Sequence, residues 1–403
     1  MHSMVEVALL LALLSLPVLA CAAYLGLLVI ASRSRPPPAY GEPRIRFDII
    51  VPAHNEEPAI AGTVQSLLAI DYPRHLYRVL VVADNCIDST AERATEAGAT
   101  VLVRQDDEKR GKGYALAFAF HKVIDDDAAD AAVVVDADTI VAPNLLRAFA
   151  ARFEAGASAV QAEYGVRNPN ASWRTRLMVI ALATFHGVRS LGRQRLKVSC
   201  GLRGNGMGFA RQVLIDVPHE AFSIVEDIEY GMRLAIAGHI VQYVAEAPVL
   251  GEMVSSESRS RSQRQRWEGG RWKLAKLHGW PLLARSIARR DRVLFDMAMD
   301  ILIPPLTILF SAAVLGLTAS AVLLVEGAGT AAVVAAALWA LAVYLLCAYV
   351  VRGVFLSRVG PRAILDLAWA PVYMGWKLVL SLSTAAKRSP DAWVRTPRED
   401  EKP

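Results

Sequence analysis

Cysteine is scarce in this 403-residue chain, and its four residues are scattered: Cys21 and Cys347 in apolar runs, Cys86 and Cys200 between them. No pair stands at a metal-ligand spacing, which argues against a zinc site, and a domain kept in the cytoplasm would hold its thiols reduced. A Walker loop is missing too, because Lys109-Arg110-Gly111-Lys112-Gly113 lacks the Gly-x-x-x-x-Gly-Lys-Ser/Thr spacing. Charge is nearly absent from residues 7–31, 301–325 and 328–351, each run long enough to cross a bilayer as a helix. With 54% hydrophobic residues and a mean hydropathy of +0.32 the chain is too apolar for an ordinary soluble enzyme. Its 21% charged residues are too many for a protein that is all membrane. The two facts agree when charge and apolar runs occupy different segments, as they do here.

The first run has a second reading, a signal peptide, with Val18-Leu19-Ala20-Cys21 as a faint lipoprotein site. Met1 to Glu6 carries no Lys or Arg and the run continues through Ile30, so a membrane helix is expected. Arg33 and Arg35 follow at once and place the chain in the cytoplasm from there. The second run then leaves the cytoplasm and the third returns, in agreement with Arg352, Arg358 and Arg362. The formal charge of +5 needs no nucleic acid, since basic residues crowd the membrane flanks and anionic lipid headgroups are the simpler partner.

The expected organisation is a transmembrane helix at 7–31, a Pro-rich linker at 32–44 and a cytoplasmic domain at 45–275. An interfacial segment at 276–300 precedes the transmembrane helices at 301–325 and 328–351. Residues 364–383, interrupted by Asp366, Pro371 and Lys377, read as an interfacial, re-entrant or fourth membrane helix before a polar tail at 384–403. Residues 171–196, with Trp173, Leu177, Ile180 and Phe185 among Arg174, Arg176, Arg189 and Arg193, read as a further interfacial helix.

Within 45–275 strands and helices alternate. Strands are expected at Phe47–Val51, Val79–Ala83, Thr100–Val103 and Ala131–Val135, and helices at Ala59–Leu68, to about Ala97, at Gly113–Ile124 and from Pro143. This alternation predicts a mainly parallel sheet with helices on both faces, whose ligands bind beyond the strands' carboxyl ends. Asp136-Ala137-Asp138 follows one strand, so both carboxylates can leave its end on one side and hold Mg²⁺ or Mn²⁺ against a diphosphate. A polar loop with a helix cap is the alternative. Asp84 closes another strand and can accept a hydrogen bond from a uracil imide; turn chemistry is the other reading. His54 follows a strand as a possible metal ligand or a solvated side chain. The Lys109–Gly113 segment opens a helix and suits an anion or nucleotide. Glu226-Asp227 interrupts apolar Ile224-Val225 and Ile228, where an acid is costly unless paired, used as a base or placed as a helix cap. Arg266 and Trp267 lie in a basic stretch; facing a cleft, a guanidinium suits a leaving diphosphate and an indole a sugar ring.

Taken in this order, the residues resemble the family 2 inverting glycosyltransferases, in particular the membrane-embedded cellulose, chitin, hyaluronan and poly-N-acetylglucosamine synthases. The resemblance implies an α/β, Rossmann-like glycosyltransferase A-type domain with flanking transmembrane helices. It implies a UDP-sugar donor held by Asp84, Lys112, Asp136, Gln263 and Arg266, with metal on Asp136 and Asp138. Asp227 would be the catalytic base, and Glu226, Gly206 and Trp267 would meet the acceptor, with Cys200-Gly201 and Asn205–Phe209 shaping its loop. The implied reaction is in-line displacement at the anomeric carbon. Polysaccharide extension at the inner, plasma-membrane face is the first expectation, with membrane lipids and possible secretion proteins as partners. Transfer of one sugar to a membrane lipid is the alternative, favoured by the small number of spans. An inactive sugar-nucleotide sensor or assembly subunit is the third.

Overall fold

A computed structural model describes residues 2–34, 36–253, 269–357, 359–360 and 362–375. Gln263, Arg266 and Trp267, the polar tail and residues 376–383 therefore lie outside the described residues.

An eight-stranded sheet carries the central domain. β1 (Phe47–Ala53) is buried along its whole length and pairs in parallel with β2 (Tyr77–Asp84) and β4 (Ala131–Val134). β3 (Thr100–Arg104) adds to the far side of β2 as a half-exposed edge. Side-chain alternation divides the core into two layers. Ile49, Val51, Val79, Val81 and Val133 face α2 (Glu57–Leu68) and the later helix Leu145–Glu154. Ile50, Leu80, Val82 and Val134 face α4 (Lys112–Asp126) and residues that follow β4. Asp48, buried in β1, is tolerated because Arg78 meets it with a two-bond fork at 2.8 and 2.7 Å.

The rest of the sheet departs from the expected parallel order. β6 (Ala159–Val166) runs parallel to β8 (Val241–Gly251), but β7 (Met207–Ala210) is antiparallel to both β4 and β6, and β5 (Thr139–Val141) is antiparallel to β8. The cause lies in residues 171–206. The chain leaves β6 at the end where β4 also finishes, passes through a helix there, and re-enters the sheet from that same end. No helix crosses back over the sheet, so β7 must run in reverse.

That helix begins at Ser172, whose hydroxyl accepts from the Thr175 amide, and runs as α6 (Trp173–Leu182), a π turn (Ala183–Val188) and α7 (Arg189–Arg195). It lies against the apolar helices and buries Arg189 and Arg193. Gly192 is required at this crossing, because a Cβ there would stand 2.7 Å from the Leu28 carbonyl oxygen. Three described helices are long and apolar enough to cross a membrane: Ser3–Ala31, Leu306–Val325 and Gly329–Leu356. The second starts later than the sequence suggests. Pro304-Pro305 breaks the apolar run, Ile303 is extended as a residue before proline should be, and residues 292–302 form a separate helix. Arg352 closes the bundle at one end by donating to the Ser32 hydroxyl and carbonyl at 2.9 and 2.6 Å, so the first and third apolar helices end side by side.

A buried ionic cluster joins this bundle to the domain. Asp300, near the end of helix Arg292–Leu302, takes Arg189 and Arg193 at 2.8 Å each and lies 3.7 Å from Arg203. Arg271 donates to its backbone carbonyl. Asp296, one turn earlier, accepts from the Tyr24 hydroxyl at 2.6 Å and faces Arg193 at 3.2 Å. Arg189 also donates to Tyr349 at 2.8 Å, and the guanidinium groups of Arg189, Arg203 and Arg271 lie over the Phe185 ring at 4.5, 5.0 and 5.2 Å. Arg189 and Arg193 are thus not interfacial cations: each finds an acid one helical turn from the next. Burial alone would raise the Asp300 carboxyl, but Arg193 and Arg203 hold it well below the usual carboxylate range. Removing one partner of such a cluster leaves buried charge unmatched. Asp300→Ala should cost about 3–5 kcal/mol, read as a lower thermal midpoint of the detergent-purified protein; an unchanged midpoint would show that the cluster does not hold the bundle to the domain.

Candidate active site

The carboxyl ends of β1, β2 and β4 open on one side, and the side chains singled out in the sequence collect there around a single ammonium group. Lys112 is the first residue of α4. Its Nζ donates to Asp136 Oδ1 at 2.6 Å and to the Gly204 carbonyl at 2.7 Å, and lies 3.6 Å from Glu226 Oε1. Three chain segments far apart in sequence therefore meet at one cation. Burial by itself would weaken its proton affinity; Asp136 and Glu226 more than compensate and keep it charged.

Asp136 and Asp138 leave the end of β4 with Ala137 buried between them, which puts both half-exposed carboxylates on the same side. The Asp136 amide donates to Asn205 Oδ1 at 3.1 Å, and Asn205 Nδ2 donates to the Thr139 hydroxyl at 2.7 Å. The Tyr164 phenol is near both acids: burial first, then Asp138 and Asp136, push its proton affinity far up. These are hard oxygen donors, and Lys112 already demonstrates that a cation is accommodated against Asp136. The pair fits a divalent ion that draws its remaining ligands from a phosphate group. Among the described residues no group of three His, Cys, Asp or Glu side chains converges, so such an ion would rely on its substrate for coordination.

Residues 199–206 form the wall opposite. Buried Gln161 fastens this loop, accepting from the Arg203 amide at 2.8 Å and donating to the Asn205 carbonyl at 2.7 Å. Gly204, with a positive φ of +78°, is the glycine that faces the acids: a Cβ there would meet Asp227 Oδ2 at 3.5 Å and Lys112 Nζ at 3.6 Å. Gly206, expected at the acceptor, lies beneath the site instead. It is packed on Val249 and Ala162 and its amide bonds the Val134 carbonyl at 3.0 Å, so its role is to let β7 start.

Glu226 and Asp227 open α9 (Glu226–Ile236), where the unpaired amides and helix dipole favour negative charge. Burial dominates nevertheless. It raises the Glu226 carboxyl to about 7 and also raises Asp227, while Lys112 draws both back down. The two adjacent acids share this environment and hold a proton more tightly than a solvated carboxylate. On the other side of the cleft Asp84 ends β2, fully buried and paired with Arg104 at 2.6 Å. His54 Nδ1 lies 2.7 Å from the Asp84 carbonyl and so serves the backbone, with no acid cluster around it among the described residues.

The structure therefore assembles Lys112, Asp136, Glu226 and Asp227 into one cluster, with Asp138 on the same side of the β4 end. Four residues escaped notice in the sequence: Arg104, Tyr164, His186 and Arg203. Tyr164 stacks on His186 at 5.7 Å, and burial together with Arg203 pushes that imidazole down to about 3, so it is neutral at physiological pH. Arg203 sits in a glycine-rich loop and Arg104 at a strand exit, positions that signal interest; Tyr164 and His186 carry no local signal.

A protonated carboxyl should be visible in the infrared band of the carboxylic C=O as pH falls through about 7. Lys112→Met removes the cation that favours ionisation, so the midpoint should move up by about one unit or more. A midpoint unmoved by Lys112→Met, or a band that persists in Glu226→Gln, would contradict this assignment.

The family model described as "Glycosyltransferase like family 2" matches residues 43–270, from the end of the linker to just past Trp267. The beta-monoglucosyldiacylglycerol synthase of Synechocystis sp. is 30% identical over 251 residues, 58% of this chain and 51% of that protein. The enzyme of that name from Nostoc sp. is 27% identical over 265 residues, 63% of this chain and 54% of that protein. The chain spans about half the length of these curated relatives. Among solved structures, a mannosyltransferase from Pyrobaculum calidifontis, held in complex with GDP-Man and Mn²⁺, aligns over 86% of this chain and 99% of its own, with a TM-score of 0.52 and 18% identity. That likeness establishes the fold, a Rossmann-like A-type domain beside apolar helices, and the match over more than half of the residues establishes the family: the chain belongs to the family 2 glycosyltransferases.

Proposed function

We propose that the chain moves one sugar from a nucleotide-sugar donor to the hydroxyl of a membrane lipid. The observation that carries this is the setting of the acidic cluster. Its wall, residues 199–206, is tied through Arg203 and Asp300 to the helices suited to a bilayer. An acceptor that never leaves the membrane can reach such a site without a channel. The names of the two cyanobacterial relatives describe a single glucose on diacylglycerol, and they support the lipid reading over the polysaccharide extension expected first. Extension keeps one argument, Gln263-x-x-Arg266-Trp267, which lies outside the described residues.

The chemistry follows from the cluster. Asp227 accepts the proton of the acceptor hydroxyl as its oxygen attacks the anomeric carbon and the bond to the diphosphate breaks. Glu226, beside it, reinforces the negative environment, and Lys112 keeps both acids and Asp136 in place. A Mg²⁺ or Mn²⁺ ion on Asp136 and Asp138 would offset charge on the departing diphosphate. The neutral His186 stacks on Tyr164, which is near Asp136 and Asp138, without adding charge. Arg266 beside the diphosphate, Gln263 on the donor and Trp267 on the acceptor complete the reading. Cytoplasmic placement of the domain, motivated by Arg33 and Arg352 at one end of the bundle, would give it access to nucleotide sugars.

The test uses the full chain in lipid nanodiscs containing diacylglycerol, with Mn²⁺ and a panel of nucleotide sugars. Mass spectrometry of the extracted lipids should find an acceptor heavier by one sugar. A water-soluble ladder of polymer lengths would instead support extension, and no product from any donor would support the inactive alternative.

A further inference from the structure

Asp84 is bonded unevenly. Its Oδ1 accepts from Arg104 Nη1 at 2.6 Å and from Asn85 Nδ2 at 3.2 Å. Its Oδ2 is buried and meets no donor among the described residues. The asymmetry is built in. Asn85 Oδ1 accepts from the Asp106 amide at 2.8 Å, which turns its NH₂ toward Asp84. Arg104 is fixed as well, since its Nη2 donates to Asp106 Oδ2 at 2.9 Å and to the Lys109 carbonyl at 2.8 Å. Only 10% of the Arg104 side chain is exposed, and β2 and β3 hold Asp84 and Arg104 directly opposite one another in register. A buried acceptor without a donor is costly and rare in a native protein. One that ends a strand beside the cleft is the mark of a group kept for a ligand.

We infer that Arg104 is a specificity-determining residue: by engaging one oxygen of Asp84 it leaves a single acceptor, which selects a uracil nucleotide over a guanine one. This rests on the reading of the chain as a nucleotide-sugar transferase and deepens it. Uracil presents one N–H between two carbonyls, so one free oxygen satisfies it. Guanine presents two adjacent donors, N1–H and N2–H, which match a carboxylate only when both oxygens are free. With Oδ1 occupied, one guanine donor would lose its water and gain no partner. Cytosine places a lone pair where uracil has its N–H, against a carboxylate that can only accept. Arg104 is argued to act through Asp84, so it is a positioning residue.

Binding of UDP, GDP and CDP to the full chain in nanodiscs with Mn²⁺, measured by calorimetry, tests this. UDP should bind at least about tenfold more tightly than GDP or CDP, the penalty expected for one buried unpaired donor. Arg104→Met leaves Oδ1 with only the longer 3.2 Å contact from Asn85 and should lower the UDP-to-GDP affinity ratio. Arg104→Lys keeps the charge but cannot fork to both Asp84 and Asp106, so its ratio should fall between. A ratio compares two ligands on one sample, so loss of folded protein does not move it, and Arg104→Lys serves if Arg104→Met does not fold. GDP binding as tightly as UDP to the unmodified chain would overturn the inference and leave the transferase reading standing. An unchanged ratio in both variants would overturn the role of Arg104. Failure of every nucleotide to bind would defeat the donor reading itself, and this inference with it.

Discussion

One buried ammonium organises the end of the sheet where the acids gather. Without Lys112, the acids at the end of β4 and at the start of α9 would face each other across a few ångströms with no countercharge. Like charges so close cannot all stay ionised at neutral pH. With Lys112 present, Asp136 is held by a direct bond, Glu226 lies within reach, and the Gly204 carbonyl ties in the loop that borders Asp227. The cation thus sets both the geometry of the site and its readiness to accept a proton. The loop that brings this carbonyl to Lys112 turns through a positive φ of +78° at Gly204, a conformation that favours glycine.

The second constraint is where the chain turns. By leaving β6 and entering β7 at the same end of the sheet, residues 171–206 place a helix and a glycine-rich loop between the acidic cluster and the apolar bundle. The arginine cluster around Asp300 then fixes this arrangement, with Arg203 from the loop and Arg189 and Arg193 from the helix sharing one carboxylate. The loop beside the acidic cluster and the apolar bundle share a single buried charge, and this is the physical reason for proposing a membrane-bound acceptor.

Much of this was legible beforehand, and for stated reasons. Alternation alone put Asp136 and Asp138 on one side of a strand end, and apolar neighbours marked Glu226-Asp227 as acids in need of a partner. The three apolar helices followed from length and lack of charge, although Pro304-Pro305 moved one start. What stayed hidden depends on contacts between residues distant in sequence. β7 runs in reverse because of where a helix lies, which no local pattern reveals. Arg189 and Arg193 looked like headgroup ligands until Asp296 and Asp300, at the same one-turn spacing on another helix, met them; matching these two i,i+4 pairs was the available signal. Arg104 escaped notice in the sequence, and only the unshared oxygen of Asp84 gives it a purpose.

The central claim is that the acid at the start of α9, next to Lys112, takes the proton from the acceptor. The most direct measurement compares donor affinity with single-turnover transfer in Asp227→Asn, which preserves size and polarity but cannot serve as a base. Donor affinity should stay within about threefold while the transfer step slows by about a hundredfold or more. Transfer at close to the unmodified rate, with donor binding intact, would contradict the account.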